Sequence, residues 1–326
     1  MRRKPVLAVA VLIALSATGC LTSGYAPDAT EGATAVAPTG EHLKIAVLGD
    51  SVAAGVGAGP VGTAPGDSNC VRTESSFGRR LGRMLETFAG VGSAVDVQAC
   101  LGASVWSLGY QAGSIAPDTD VVFVQAGAND LGWDSALMCA LKRFQFGSNC
   151  STADALSGVE RRIPTVVADL RVAIAQIRAA APSARIVVSD YLSLFAKPGF
   201  FDFAPPCMSA IILDTQTRTL MWNLTASLNE QVRQMSVDEG VSLISLSQLG
   251  KGRSLCETDS PWYREIFYSD YRRVNGAVVW ASRPSSGFFD ETSYHGNHLM
   301  HAAWAKAAYT MISNSNWLGH ALPSVP

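Results

Sequence analysis

The chain has 326 residues, 48% hydrophobic and 16% charged, an ordinary composition for a folded protein with room for a large core. Its formal net charge of −2 gives no electrostatic reason to expect a nucleic-acid partner. The densest basic cluster, Arg2-Arg3-Lys4, sits at the amino terminus.

That cluster precedes an uncharged apolar run from about Val6 to Leu15 and small residues through Gly19. The run is too short to span a bilayer as a mature helix, so residues 1–19 read as an export signal. Cys20, preceded by Ala17-Thr18-Gly19, resembles the lipidation site of bacterial lipoproteins, although Leu is usual where Ala17 stands. In that reading Cys20 becomes the lipidated first residue of an envelope protein anchored to the membrane; the alternative is plain secretion. Residues 20–41 are rich in Ala, Thr, Gly and Pro and read as a flexible tether. Residues 42–326 form the expected folded domain.

Seven cysteines is an odd number for an exported chain, and setting Cys20 aside leaves six. Taken in order they pair as Cys70–Cys100, Cys139–Cys150 and Cys207–Cys256, one of the fifteen connectivities that six cysteines allow, among which sequence alone does not choose. No CxxC spacing supports zinc.

Short apolar runs rich in β-branched residues recur at Ile45–Leu48, Val95–Ala99, Val121–Gln125, Ile186–Ser189 and Val241–Leu246. Most are continuous, as in strands buried on both faces of a parallel sheet. Helical spacing lies between them. Phe77, Leu81, Met84 and Leu85 form one stripe, and Val166, Leu170, Ile174 and Ile177 another. Leu220, Leu224, Leu228 and Val232 form a third, and Ala302–Ile312 is the last helix. The expected fold is α/β: a three-layer α/β/α, flavodoxin-like, doubly wound parallel sheet of about five strands. Residues 131–157, 192–212 and 248–290 fit neither pattern and read as disulfide-pinned excursions walling a site.

The first strand runs into Gly49-Asp50-Ser51, with Gly55 four residues after the serine. Ligands of α/β sheets bind at the carboxyl ends of strands, and a helix start offers free N–H groups for a developing negative charge. By itself Asp-Ser is equally a helix cap. Three further blocks follow in order: Cys100-Leu101-Gly102-Ala103-Ser104, Gly127-Ala128-Asn129-Asp130 and His295-Gly296-Asn297 with His301 beyond. Together they resemble the GDSL, or SGNH, hydrolases, and the three pairs of cysteines resemble a secreted actinobacterial esterase/lipase branch. The resemblance spans roughly Leu43 to Ser313 and implies the SGNH hydrolase fold. It implies Ser51 as nucleophile, His295 as base, and an oxyanion hole made by the Ser51 N–H, the Gly102 N–H and the Asn129 amide.

Acyl transfer needs those same parts, since a serine hydroxyl is inert at neutral pH without a base. Family members usually carry Asp three residues before the His, where this chain has Thr292; Gly296 replaces the Pro after it. Asp290 or Glu291 is one candidate to orient the imidazole. The Ser293 carbonyl is the other, favoured by the resemblance to dyad-type members. His295, His298 and His301 drift around a helix at three-residue spacing, so no metal site is expected. His298 reads as a helix-surface residue, and Asp130 as a holder of its loop rather than a catalytic acid. Trp106, Trp133, Phe200, Phe201, Phe203, Phe288 and Phe289 are candidates either for an acyl pocket or for ordinary core.

The expected activity is hydrolysis of carboxylic esters, acyl or lipid-like, through an acyl-enzyme, with no cofactor and with ester or lipid substrate and membrane as partners. A carbohydrate O-deacetylase or acyltransferase on the same scaffold, or a catalytically silent surface binding protein, are the alternatives.

Overall fold

A computed structural model describes residues 39, 41–197, 213–258, 260–264, 271–274, 277–280, 294–315, 317, 318 and 320–325. The export signal, Cys20 and most of the tether lie outside these residues, as do Cys207, Phe200, Phe201, Phe203, Phe288, Phe289, Asp290, Glu291, Thr292 and Ser293.

Strand β1 (His42–Gly49) is followed by three short helices, α1 (Ser51–Ala54), α2 (Asp67–Cys70) and α3 (Phe77–Met84), the last prolonged by a π turn. Then come β2 (Gly92–Val97), α4 (Ser107–Ala112), β3 (Val121–Gln125), α5 (Ala128–Leu131), α6 (Trp133–Phe146), α7 (Thr152–Leu156) and α8 (Val159–Ala180). Next in the chain are β4 (Arg185–Ser189), α9 (Thr215–Asp238), β5 (Ser242–Ile244) and α10 (Leu246–Leu249). An antiparallel hairpin, β6 (Tyr271–Val274) with β7 (Ala277–Trp280), precedes α11 (His298–Asn314).

The first five strands are parallel, in the order β2-β1-β3-β4-β5. This is the flavodoxin-like order, in which the chain reverses direction across the sheet between β1 and β3 and opens a crevice beyond their carboxyl ends. Helices α3 and α11 pack on one face, and α4, α8 and α9 on the other. Burial on both faces explains the unbroken apolar runs: every residue of β3 is buried. Phe77 stacks on Trp304 at 3.6 Å between ring centroids and meets the edge of Phe123 at 5.5 Å, locking α3, α11 and β3 together.

Two details depart from the expected elements. Strand β2 ends at Val97 because the Gln98 and Ala99 N–H groups both donate to the Val47 carbonyl, which breaks the ladder. Residues 131–157 are mostly helical: α6 runs between left-handed Gly132 and Gly147, and Ser151 caps α7. Among the described residues, those that α6 buries lie at i, i+3 and i+4, namely Ala136, Cys139 and Ala140, and are too small to mark a strong apolar stripe. The Cys139–Cys150 disulfide staples α6 to the segment that returns from it.

Candidate active site

Ser51 is the first residue of α1, directly past the end of β1. Asp50 caps that helix in extended conformation, its carboxylate accepting the Val52 N–H at 2.9 Å. The turn is tight: the Asp50 N–H donates to the Gln125 carbonyl at 3.0 Å. Gln111, reaching up from α4, bonds both the N–H and the carbonyl of Gly49 at 2.7 and 2.9 Å. Ser51 is thereby fixed at the β1/β3 crevice, only 7% exposed.

His295 lies 244 positions away in sequence, yet its Nε2 is 2.8 Å from the Ser51 hydroxyl oxygen. The residues around it form a strap. The Arg264 N–H donates to the His295 carbonyl at 2.8 Å, the Tyr294 N–H to the Arg264 carbonyl at 3.0 Å, and the Asn297 N–H to the Trp262 carbonyl at 2.9 Å. Arg264 also donates through Nε to the Gly57 carbonyl, tying the strap to the loop after α1. Asn297 then caps α11, accepting from Leu299 and Met300 N–H groups while its amide donates to the Pro261 carbonyl at 2.7 Å. Tyr294, just before the histidine, sits at φ 62°, a conformation unfavourable for an aromatic residue and held by this surrounding pairing.

The third and fourth groups converge on the same edge. The loop at Gly102 is tied down by the Cys70–Cys100 disulfide and by Cys100 and Leu101 N–H groups donating to the Gly49 and Cys70 carbonyls, each at 3.1 Å. Gly102 itself, at φ 76°, is exposed, and its N–H has no acceptor among the described residues. Asn129 is also exposed and spends one amide N–H on the Ala103 carbonyl at 2.9 Å, which leaves its second N–H for a ligand. Asp130 holds the loop, its carboxylate accepting the Val105 N–H at 3.0 and 3.2 Å, and burial raises its pKa. Ser51, Gly102 and Asn129 thus follow the carboxyl ends of the adjacent strands β1, β2 and β3, with the His295 ring against the Ser51 hydroxyl; an alcohol, an imidazole and N–H donors are the groups required to attack a carbonyl and stabilise the resulting oxyanion.

Of the other histidines, His301 is fully buried, and its Nδ1 accepts the Phe77 N–H at 3.2 Å. Burial, then the Arg80 charge, push its pKa down to about 3, so it is a neutral part of the α3/α11 contact. His298 is buried at 8% exposure, contrary to the surface position expected for it, because the first turn of α11 is tied beneath the strap. Trp133 meets Tyr191 edge to face at 6.5 Å, whereas Trp106, just before α4, is 73% exposed. Cys256 is disulfide-bonded, with its partner outside the described residues. Tyr191, which no motif marks, donates its hydroxyl to the Asp50 carboxylate at 2.5 Å. Its only signal was a place two residues past a strand end.

A model described as the GDSL-like Lipase/Acylhydrolase family matches residues 47–303. Lipase 1 of Streptomyces coelicolor is 28% identical over 250 residues, which cover 76% of this chain and 84% of that protein. A lipase of Streptomyces rimosus is 27% identical over 234 residues, covering 71% and 79%. Among solved structures, an extracellular lipase from Streptomyces rimosus superposes with a TM-score of 0.64 at 19% identity, covering 82% of this chain and 99% of that one. Phospholipase A1 from Streptomyces albidoflavus superposes at 0.62 with 24% identity, covering 83% and 98%. At these identities the structural likeness is one of fold. The family match runs from the end of β1 into α11 and takes in Ser51, Gly102, Asn129 and His295, and the chain belongs to the GDSL-like lipase/acylhydrolase family.

Proposed function

We propose that this enzyme hydrolyses acyl esters through a covalent intermediate on Ser51. His295 Nε2 takes the hydroxyl proton as Ser51 Oγ bonds to the carbonyl carbon, and the carbonyl electrons move onto oxygen. The Ser51 and Gly102 N–H groups and the Asn129 amide hold that oxyanion. On collapse the bond to the alcohol oxygen breaks, and the imidazolium returns its proton to the departing alcohol. Water then repeats the sequence on the acyl-enzyme and releases the acid. The observation that carries this reading is the 2.8 Å contact between His295 and Ser51.

A lipid-like acyl group is supported by the surface beside the oxyanion loop. Trp106, Tyr110 and Val172 are 73, 65 and 57% exposed and adjoin one another across α4 and α8, with a shallow groove of about 400 Å³ between them. Large apolar side chains gathered on a surface signal a function there. Export, with anchoring through lipidated Cys20, completes the reading and is supported by the basic-apolar-small pattern of residues 1–19. Among the described residues no helix is long and apolar enough to cross a membrane.

A p-nitrophenyl ester panel of increasing chain length tests the proposal. The expected result is turnover that favours longer acyl chains and disappears in Ser51→Ala. Turnover surviving in Ser51→Ala removes the nucleophile, and a preference for acetate alone points to a deacetylase. Labelled fatty acid incorporated by the wild type but not by Cys20→Ala is the expected result for the anchor.

A further inference from the structure

We infer that Tyr191 is a positioning residue that sets the spacing between the nucleophile and the oxyanion donor. This rests on the roles proposed above for Ser51 and Asn129. The Tyr191 hydroxyl donates to the Asp50 carboxylate at 2.5 Å and accepts the Ala128 N–H at 3.2 Å. Asp50 immediately precedes Ser51, and Ala128 immediately precedes Asn129. One oxygen atom therefore bridges the crevice between the two loops that carry the chemistry.

The bridge is anchored from behind. Asn229 on α9 accepts the Tyr191 N–H at 3.0 Å and donates to the Tyr191 carbonyl at 2.7 Å. Water does not compete for the contact, since Asp50 is 1% exposed and Tyr191 3%. No Lys or Arg among the described residues acts on Asp50, so the carboxylate depends on its hydrogen bonds, and those bonds fix where it lies. Burial raises its pKa, while Tyr191 and Val52 draw it back. Losing the hydroxyl leaves the Ala128 N–H without its acceptor and Asp50 with one partner fewer. The Ser51 and Asn129 loops are then free to shift relative to each other. Displacements of about 1 Å in such sites cost on the order of 10²-fold in rate.

A double-mutant cycle tests this, reading kcat and KM on p-nitrophenyl butyrate for the wild type, Tyr191→Phe, Asn129→Ala and the double variant. Tyr191→Phe is expected to lower kcat roughly 10- to 100-fold with KM changed less than about 2-fold. In the Asn129→Ala background the same change is expected to cost less than about 3-fold, because the donor it aligns is gone. An equal loss in both backgrounds, or none in either, overturns the inference. An Asn129→Ala enzyme with undiminished kcat overturns the oxyanion assignment first and this coupling with it. If Tyr191→Phe does not fold, Asn229→Ala, which releases the Tyr191 main chain and keeps the hydroxyl, takes its place under the same criterion.

Discussion

Gly49 and Gln125 face each other as paired residues at the carboxyl ends of β1 and β3, so close that a Cβ on Gly49 would lie 2.0 Å from the Gln125 carbonyl oxygen. At φ 144° the Gly49 backbone is also one that side chains rarely allow. The turn into Ser51 is therefore possible only with hydrogen at this position.

That pair predicts a contrast between two glycines. Gly49→Ala meets backbone on both counts and is expected to destabilise the fold by about 4 kcal/mol or more. At Gly102, also in positive φ, a Cβ would meet nothing within 4 Å, so Gly102→Ala is expected to cost only about 1–2 kcal/mol. Urea unfolding of the two variants checks this, and equal losses would show that packing at Gly49 is not what matters.

Ser51 and His295 are expected to act as one unit. Ser51→Ala and His295→Ala should each lower kcat by on the order of 10⁶, and the double variant should be no slower than either single one. Asn129→Ala should cost about 10²–10³, since Ser51 and Gly102 still offer their N–H groups. Steady-state kinetics on a p-nitrophenyl ester measure all four enzymes. A double variant slower by the product of the single losses would mean that the two side chains work independently.

The sheet was legible because its central strands are buried on both faces, leaving unbroken runs such as Val121–Gln125, and because each nucleophile or donor block follows one of these runs. Helix α6 was not, since the side chains it buries among the described residues are two alanines and a cysteine. Tyr191 was invisible for a deeper reason. A tyrosine past a strand has no pattern of its own, and it gains a role only when the fold sets β4 beside β3 and brings Asp50 within reach of its hydroxyl.

The Cys70–Cys100 disulfide joins the end of α2 to the oxyanion loop across 30 residues. Closing a loop of that length is worth about 3–4 kcal/mol in the unfolded chain. Replacing both cysteines by serine is expected to lower stability by that amount and also to reduce kcat, because Leu101 loses the fixed partner that its N–H now finds in Cys70. Thermal unfolding and kinetics on the same preparation measure both effects. A stability loss with unchanged kcat would mean that hydrogen bonds alone hold the loop.

Asp50 places a buried carboxyl directly beside Ser51. Burial pushes the Asp50 pKa up to about 6, from 3.8 for a free carboxyl. The folded state thus holds the proton more tightly than the unfolded chain. The resulting stabilisation is complete below pH 3.8 and is lost as pH rises through 6. Between pH 4 and 7 the wild type should give up about 2 kcal/mol through this group, whereas Asp50→Asn, uncharged throughout, should not. Replacing the carboxylate also alters the bond to Tyr191, but that offset is the same at both pH values. The change in the stability gap between the two proteins is therefore the quantity to read from urea unfolding, and a gap that stays constant would mean that the carboxylate ionises as freely in the fold as in water. A rising gap would have a functional meaning as well: at neutral pH the fold keeps a buried charge at a cost in stability, directly beside Ser51, where a neutral residue would fold better.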